Sequence, residues 1–403
     1  MIINMESLRF LYNIGYGPSS SHTMGPVNAV SYVKSKHPTA NSFNITLYNS
    51  LALTGLGHLT YASIERELSP SLVHFNTVID SFYHPNFMTV VSYRDGIELG
   101  KDCIESVGGG RILINGQRLF TEEVYKYNSF EAIKNYCVRK EMSLFDYVLK
   151  SEGISIKAVL SSVWSVMKKS VKQGLRETGV LPGELRVQRR AKRLYDAAKR
   201  ERGAEKEALL LSAFAFSVSE ENAAGGVIVT APTCGSCGVF PAVLYYMYKY
   251  EGFIDEQIEE ALAVASIFGN LIKQNASISG AVAGCQAEIG TAAVMAASAV
   301  AYLRNLSIGQ IEYSAEVALE HSLGLTCDPV KGYVQIPCIE RNAVYAVKAY
   351  NAARLARIIS KGSKVSFDMV VQTMLQTGKD IAKEYRETAE GGLAKHYKER
   401  RKR

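Results

Sequence analysis

Phe43, Ile45 and Leu47 alternate with Asn44, Thr46 and Tyr48. A period of two belongs to a strand with one buried face. Phe87–Tyr93 and Arg111–Ile114 have the β-branched character of further strands. Helix-compatible stretches, Gly25–Ser35 and Gly57–Glu67, lie among them. This pattern predicts a mixed α/β unit over roughly the first 120 residues. From Ser143 onward the period becomes helical. Ile258, Leu262, Ala265, Phe268 and Ile272 fall on one helical face, with Asp255 as the expected N-cap. Ser307 and Gln310 have capping-box spacing, with Leu306 and Ile311 placed as a hydrophobic staple. Gly280–Ala301 is rich in Ala and Gly and predicts helices that approach closely. Pro182-Gly183 is a break. No internal repeat is visible. The two patterns change over between Gln117 and Ser143. The expected organisation is multidomain α+β, with a small α/β unit over residues 1–130 and a larger all-α unit over 131–403.

Composition narrows the class. Hydrophobic residues are 47% and charged residues 21% of the 403, a packed globular balance. The net charge of +7 comes largely from two runs, Arg186–Arg202 and Lys395–Arg403. Neither run carries interleaved stacking aromatics or a reader motif, so no nucleic-acid partner is expected. The start, MIINMESLRF, is not a secretory signal. The longest apolar run, Ile289–Leu303, is too short to span a bilayer, so no membrane role and a cytoplasmic location are expected. Seven cysteines, an odd number in a long chain, argue against a disulfide framework.

The cysteines raise a chemical question. Cys285, Cys327 and Cys338 stand in AGCQ, LTCDPV and IPCIERN, each beside Gly, Pro or polar residues that make turns. Such loops let side chains converge on a metal. Spacing alone favours a blander reading, three buried small thiols, and the gaps match no zinc finger or bacterial ferredoxin. Cys234 and Cys237 form C-x-x-C within TAPTCGSCG. Half a zinc site, a redox pair, and a ligand-facing loop with incidental thiols all stay open. The zinc reading lacks a second pair, and the redox reading needs a preceding strand in surroundings that look helical.

In the first half, GPSSSHTMGP is dense in hydroxyls and enters a helix at Gly25. Free N–H groups at a helix start, helped by hydroxyls, receive carboxylates or phosphates. His22 can move a proton there; a plain N-cap with a surface histidine reads equally well from this motif alone. His58 in TGLGHLT and His84 in HPN also sit near turns. Gly108, Gly109 and Gly110 permit positive φ or a close backbone approach, without the pattern of a nucleotide loop.

Together these motifs resemble the bacterial iron–sulfur-dependent L-serine dehydratases, over nearly the whole chain. GPSSSHTMGP, the Gly57-His58 turn, HPN and SVGGG resemble the β domain, an allosteric-substrate-binding-like module. SEENAAGG, TAPT, NASISGAVAGCQAE, GLTCDPV and IPCIERNAV resemble the catalytic α domain. The last four are long and ordered, which reverses the spacing-only view of the thiols. The resemblance implies that Cys285, Cys327 and Cys338 hold a [4Fe–4S] cluster with one iron open to act as a Lewis acid. It implies deamination of L-serine to pyruvate and ammonia, and a homodimer. His22 and His58 are then the candidate bases, and Ser19 and Ser21 orient substrate. Thr233, Asn275 and Arg341 are candidate substrate ligands, with Arg341 suited to a carboxylate by its planar fork; Glu340 and Arg341 orienting the cluster loop is the alternative. Two departures stand out. Cys234 replaces an asparagine common in the family, and the tail lacks the terminal cysteine that caps the open iron in some relatives. Alternatives are a related lyase acting on L-cysteine or L-threonine, a sensor without catalysis, and a pyridoxal phosphate enzyme. The last needs a Schiff-base lysine motif that is not seen beside Gly108–Gly110.

Overall fold

The computed structural model describes residues 5–118, 123–359 and 363–398. The changeover region and the basic tail Lys395–Arg403 therefore lie partly outside the described residues. In the N-terminal part, six strands form one sheet. Its order is Leu72–Val78, Ser42–Tyr48, Phe87–Arg94, Ile97–Gly108, Arg111–Ile114 and Gln117–Arg118. The first pair is parallel and every later pair antiparallel. Phe43, Ile45 and Leu47 are fully buried while their neighbours are half-exposed, as the alternation predicted. They pack with Ala29, Val30 and Val33 of the helix Gly25–Lys36 and with Ile64 and Leu68 of the helix Thr60–Leu68.

The C-terminal part is helical and holds the larger core. The helix Thr291–Leu303 is buried along almost its whole length. Its alanines let Asp255–Asn275, Ile308–Glu320 and Cys338–Ile359 pack closely around it. The chain thus has a small N-terminal sheet unit and a larger helical unit, the α+β organisation expected. The front of the chain nevertheless joins the helical core. Met5, Leu8, Leu11 and Tyr12 are buried there, and Tyr12 Oη donates to the Leu262 carbonyl at 2.8 Å. Ile14–Tyr16 pairs antiparallel with Val227–Val229, fastening the two units together.

Three local expectations are revised. Asp255 is the first helical residue and not the cap, because its carboxylate is taken by Trp164 Nε1 and Lys168 Nζ, both at 2.6 Å. The cap position is Ile254, whose N–H is taken by the Gln257 side chain. Gly280–Ala301 is not continuous helix. It breaks at Gly284, whose φ of +70° suits glycine and whose absent Cβ would stand 2.7 Å from the Leu325 carbonyl. The C-x-x-C loop does follow a strand, Val227–Val229, but that strand pairs antiparallel. The capping box at Ser307 and Gln310 is present as expected. Among the described residues no helix is long and apolar enough to cross a membrane.

Candidate active site at the junction of the two units

A pocket lies where the sheet unit meets the helices. The sheet unit lines it with Pro18–Ser21, His58, Gly108 and Gly109. The helical unit adds Thr233, Cys285, Glu288, Cys327, Cys338 and Glu387 among others.

The serine-rich wall is built by its own hydrogen bonds. Ser19 is extended, and its hydroxyl accepts from the His22 N–H at 3.1 Å. Thr23 Oγ1 accepts from the Ser19 N–H at 3.2 Å in return. A wide turn, Ser20–Met24, follows and runs straight into Gly25–Lys36. First-turn N–H groups have no partner within their own helix. Those of Ser20 and Ser21 meet no acceptor among the described residues.

The two histidines differ in what they offer. His22 is engaged at both ring nitrogens: Nδ1 meets Ser21 Oγ and Nε2 meets Ser50 Oγ, each at 2.8 Å. His58 Nδ1 meets Thr54 Oγ1 at 3.0 Å, whereas its buried Nε2 has no partner, and His58 lines the pocket. Burial pushes the His22 pKa well below the usual value, helped by the charge of His58. Burial likewise lowers His58 to about 4. Both rings are therefore neutral at neutral pH.

Each thiol is delivered by a break in the helical pattern. Cys285 follows Gly284 and precedes the turn Gln286–Gly290, which leads into Thr291–Leu303. Cys327 lies between Ile308–Glu320 and the turn Val330–Gly332. Cys338 opens the helix Cys338–Ile359, directly after Pro337. A helix start favours the thiolate form. Cys285 is made more acidic by a hydrogen bond from Cys327, with Arg341 adding to the effect. Cys327 is raised by that same bond and by burial, and Cys338 by burial. Donor atoms of Cys285, Glu288 and Cys327 lie within 4.8 Å of one another.

Gly280 marks the centre of this convergence. A Cβ there would stand 2.8 Å from Glu288 Oε2, 3.2 Å from Cys327 Sγ and 3.3 Å from Glu387 Oε2. Three thiols, none in a disulfide, line one pocket and form a soft donor set that fits an iron–sulfur cluster, and Gly280 keeps the space beside Cys327 clear. Glu288 is raised by burial and steadied by Thr233 Oγ1, which donates to it at 2.6 Å. Glu387 is raised to about 8 by burial and by the charges of Glu288 and Cys285.

The remaining candidates sort clearly. Ser19, Ser21, His58, Thr233 and the three cysteines share the pocket, and His22 stands just behind it. Asn275 does not reach it: it ends the helix Asp255–Asn275 and donates to the Asn128 carbonyl at 2.7 Å. Arg341 is not in the lining either. Its Nη1 donates to the Thr326 carbonyl at 2.8 Å and its Nη2 lies 3.6 Å from Asp328 Oδ1, gripping the residues on either side of Cys327. These contacts are to the loop that bears Cys327. His84 lies in a turn where its Nδ1 accepts from the Asn86 N–H. Burial pushes both C-x-x-C thiols up, so neither is poised as a thiolate. Glu288, Glu387 and Asn342 went unmarked by sequence reasoning. Asn342 Nδ2 donates to the Gly235 and Cys338 carbonyls, both at 2.8 Å, joining the C-x-x-C loop to the third cysteine. The i+3 spacing of Glu288 from Cys285 and of Arg341 from Cys338, one helical turn, is the signal that could have found the first and placed the second.

Known proteins resemble this chain along nearly its whole length. The serine dehydratase beta chain family matches residues 7–71, and the serine dehydratase alpha chain family matches residues 118–394. An L-serine dehydratase of Haemophilus influenzae is 37% identical, covering 97% of this chain and 99% of its own length. L-serine dehydratase 2 of Escherichia coli is 38% identical, over 97% of this chain and 98% of its own. The L-serine dehydratase of Helicobacter pylori is 35% identical over 97% and 99%. The chain belongs to the serine dehydratase family and carries the beta and alpha parts in one polypeptide.

Proposed function

We propose that this chain is a lyase that deaminates L-serine to pyruvate and ammonia in the pocket between its two units. One observation carries the reading: a neutral, unpartnered histidine nitrogen, His58 Nε2, lines the same pocket as three convergent cysteines. The relatives named L-serine dehydratase support the choice of substrate.

The substrate carboxylate docks against the Ser20 and Ser21 N–H groups and the Ser19 and Ser21 hydroxyls. His22 fixes the Ser21 hydroxyl through Nδ1 and is itself held by Ser50. His58 Nε2 accepts the Cα proton. The electron pair of that bond forms the Cα–Cβ double bond, and the β-hydroxyl departs with the C–O pair. It leaves as water once it has taken the proton that His58 Nε2 holds. The aminoacrylate product tautomerises to an imine and hydrolyses to pyruvate and ammonia. A [4Fe–4S] cluster held by Cys285, Cys327 and Cys338 supplies Lewis acidity for this poor leaving group. Arg341 holds the Cys327 loop, and Asn342 ties the Cys338 helix to the loop that bears Thr233. A cytoplasmic homodimer, implied by the family likeness, completes the reading.

The test is anaerobic reconstitution with iron and sulfide, a visible spectrum, and keto-acid assays on L-serine, L-threonine and L-cysteine. Sulfide-to-iron absorption together with preferential pyruvate formation from L-serine is the expected result. Absorption without any keto-acid product would remove the lyase reading. Free alkylation of all three cysteines after reconstitution would remove the cluster. Light scattering tests the dimer.

A further inference from the structure

An α-amino acid carries two charges, and the serine wall answers one of them. Arg341, the cation nearest the cysteines, is spent on Thr326 and Asp328. The carboxylate therefore belongs at the Ser20 and Ser21 N–H groups, and the ammonium needs an anion across the pocket. Among the described lining residues the only carboxylates are Glu288 and Glu387. Glu288 is held by Thr233 Oγ1 at 2.6 Å and lies 3.9 Å from Cys327 Sγ. The Glu387 carboxyl has no such side-chain partner among the described residues, and the Ala281 backbone favours its charged form.

Glu387 is also placed there by design of the backbone. It belongs to a strap that crosses the Cys327 loop. The Cys327 N–H donates to the Tyr385 carbonyl, and the Glu387 N–H donates to the Cys327 carbonyl, both at 2.8 Å. Leu393 N–H then closes onto Asp328 Oδ2 at 2.6 Å. Within this strap Glu387 has φ of +60°, a left-handed conformation disfavoured for any residue with a Cβ. Such strain persists where surrounding bonds over-determine it, and it gathers at ligand-binding positions. Here it turns the carboxyl inward, toward Gly280 and the cysteines.

We infer that Glu387 receives the α-ammonium group of the substrate and selects amino acids over hydroxy acids, an assignment that rests on the serine reading of the pocket. An ammonium brought against the half-buried Glu387 carboxyl favours its charged form, and loss of the charge-assisted hydrogen bond so made weakens only ligands that bear the ammonium.

The test uses the anaerobically loaded full chain and two ligands that cannot react. L-alanine keeps the ammonium and lacks the hydroxyl; 3-hydroxypropanoate keeps the hydroxyl and lacks the ammonium. Calorimetry gives Kd for each with wild type, E387Q and E387D. E387Q is expected to weaken L-alanine at least about tenfold and to leave 3-hydroxypropanoate within about threefold, with visible absorbance unchanged. E387D, which keeps the charge, is expected to fall between. Equal weakening of both ligands, an unchanged L-alanine Kd, or loss of absorbance in E387Q would each overturn the assignment. Wild type that binds L-alanine through Glu387 yet makes no pyruvate from L-serine would leave the inference standing and remove the lyase reading. Wild type that binds neither ligand would remove both.

Discussion

His22 and His58 lie with ring centroids 4.5 Å apart and planes inclined by 38°, and of the two only His58 has a buried ring nitrogen without a partner. His22 spends both nitrogens on serine hydroxyls. On the proposed reading the pair divides into a base, His58, and a residue that positions the serine wall, His22. His58→Asn should lower kcat by about 100-fold or more, the usual worth of a general base, with little change in KM. His22→Asn should act mainly through KM, by freeing Ser21. Steady-state kinetics on protein of matched iron content separates the two.

Burial holds His58 near 4 against an ordinary 6.5. A base must be unprotonated to work, so kcat/KM should stay level through neutral pH and fall on the acid side only near that depressed value. Stability follows the linked rule. Above about 6.5 both folded and unfolded forms carry a neutral ring, and the full stability is present. As pH falls from there to about 4, the unfolded chain takes a proton that the folded chain refuses, and about 3 kcal/mol is lost for His58. Denaturant midpoints at a series of pH values, with wild type and His58→Asn compared, check the sign. The variant should lose less stability over that window.

Arg341 grips the carbonyl before Cys327 and the carboxylate after it. Arg341→Lys keeps the charge but not the fork. Cluster absorbance should fade faster in air while KM for L-serine on freshly loaded protein changes by less than about threefold. A large rise in KM with a stable spectrum would mean that Arg341 binds the substrate after all.

Cys327→Ala should abolish cluster absorbance and turnover while far-ultraviolet circular dichroism keeps its helical signature. Cys237→Ala removes a buried thiol that burial keeps protonated. It should lower stability by about 1–2 kcal/mol, measured by urea unfolding, and leave iron content unchanged. Loss of iron from Cys237→Ala would make the C-x-x-C loop part of the metal site.

Gly280→Ala places a methyl 2.8 Å from Glu288 Oε2 and 3.2 Å from Cys327 Sγ. Neither neighbour sits on open surface, so the pocket must open. Iron content per chain and turnover should fall together, with the melting profile nearly unchanged.

Much of the fold was legible because a half-buried strand writes its two faces into the sequence. Phe43, Ile45 and Leu47 show this. The turn at Gly284 was marked by the glycine before Cys285, but the wide turn Gln286–Gly290 after it was not legible, since alanines and glycines buried on every side leave no period to interrupt. Asp255 looked like a cap because a cap is a local device, and what claimed its carboxylate was Trp164 and Lys168, far back in the chain. The site divides the same way. His58, Ser19, Ser21, Thr233 and the three cysteines stand in motifs long enough to be noticed, and the pocket gathers them. Glu288 stands inside the motif around Cys285 but was not singled out there, and Glu387 sits among ordinary polar residues. Their importance arises only once the strap from Tyr385 onward crosses the Cys327 loop, a tertiary event with no local signature. Asn275 and Arg341 were chosen for chemistry suited to a carboxylate, and the packing uses that chemistry on backbone carbonyls instead.

The pocket takes in residues from Pro18 to Glu387. A ribosome making this protein must therefore release nearly all of it before Glu387 can close over Cys327. Until then the serine wall, the thiols and the strap exist as separate pieces, and the serine wall must wait for partners hundreds of residues away in sequence. Long-range closure of this kind is slow. A nascent chain thus exposes three unpaired cysteines before the strap that crosses the Cys327 loop can form.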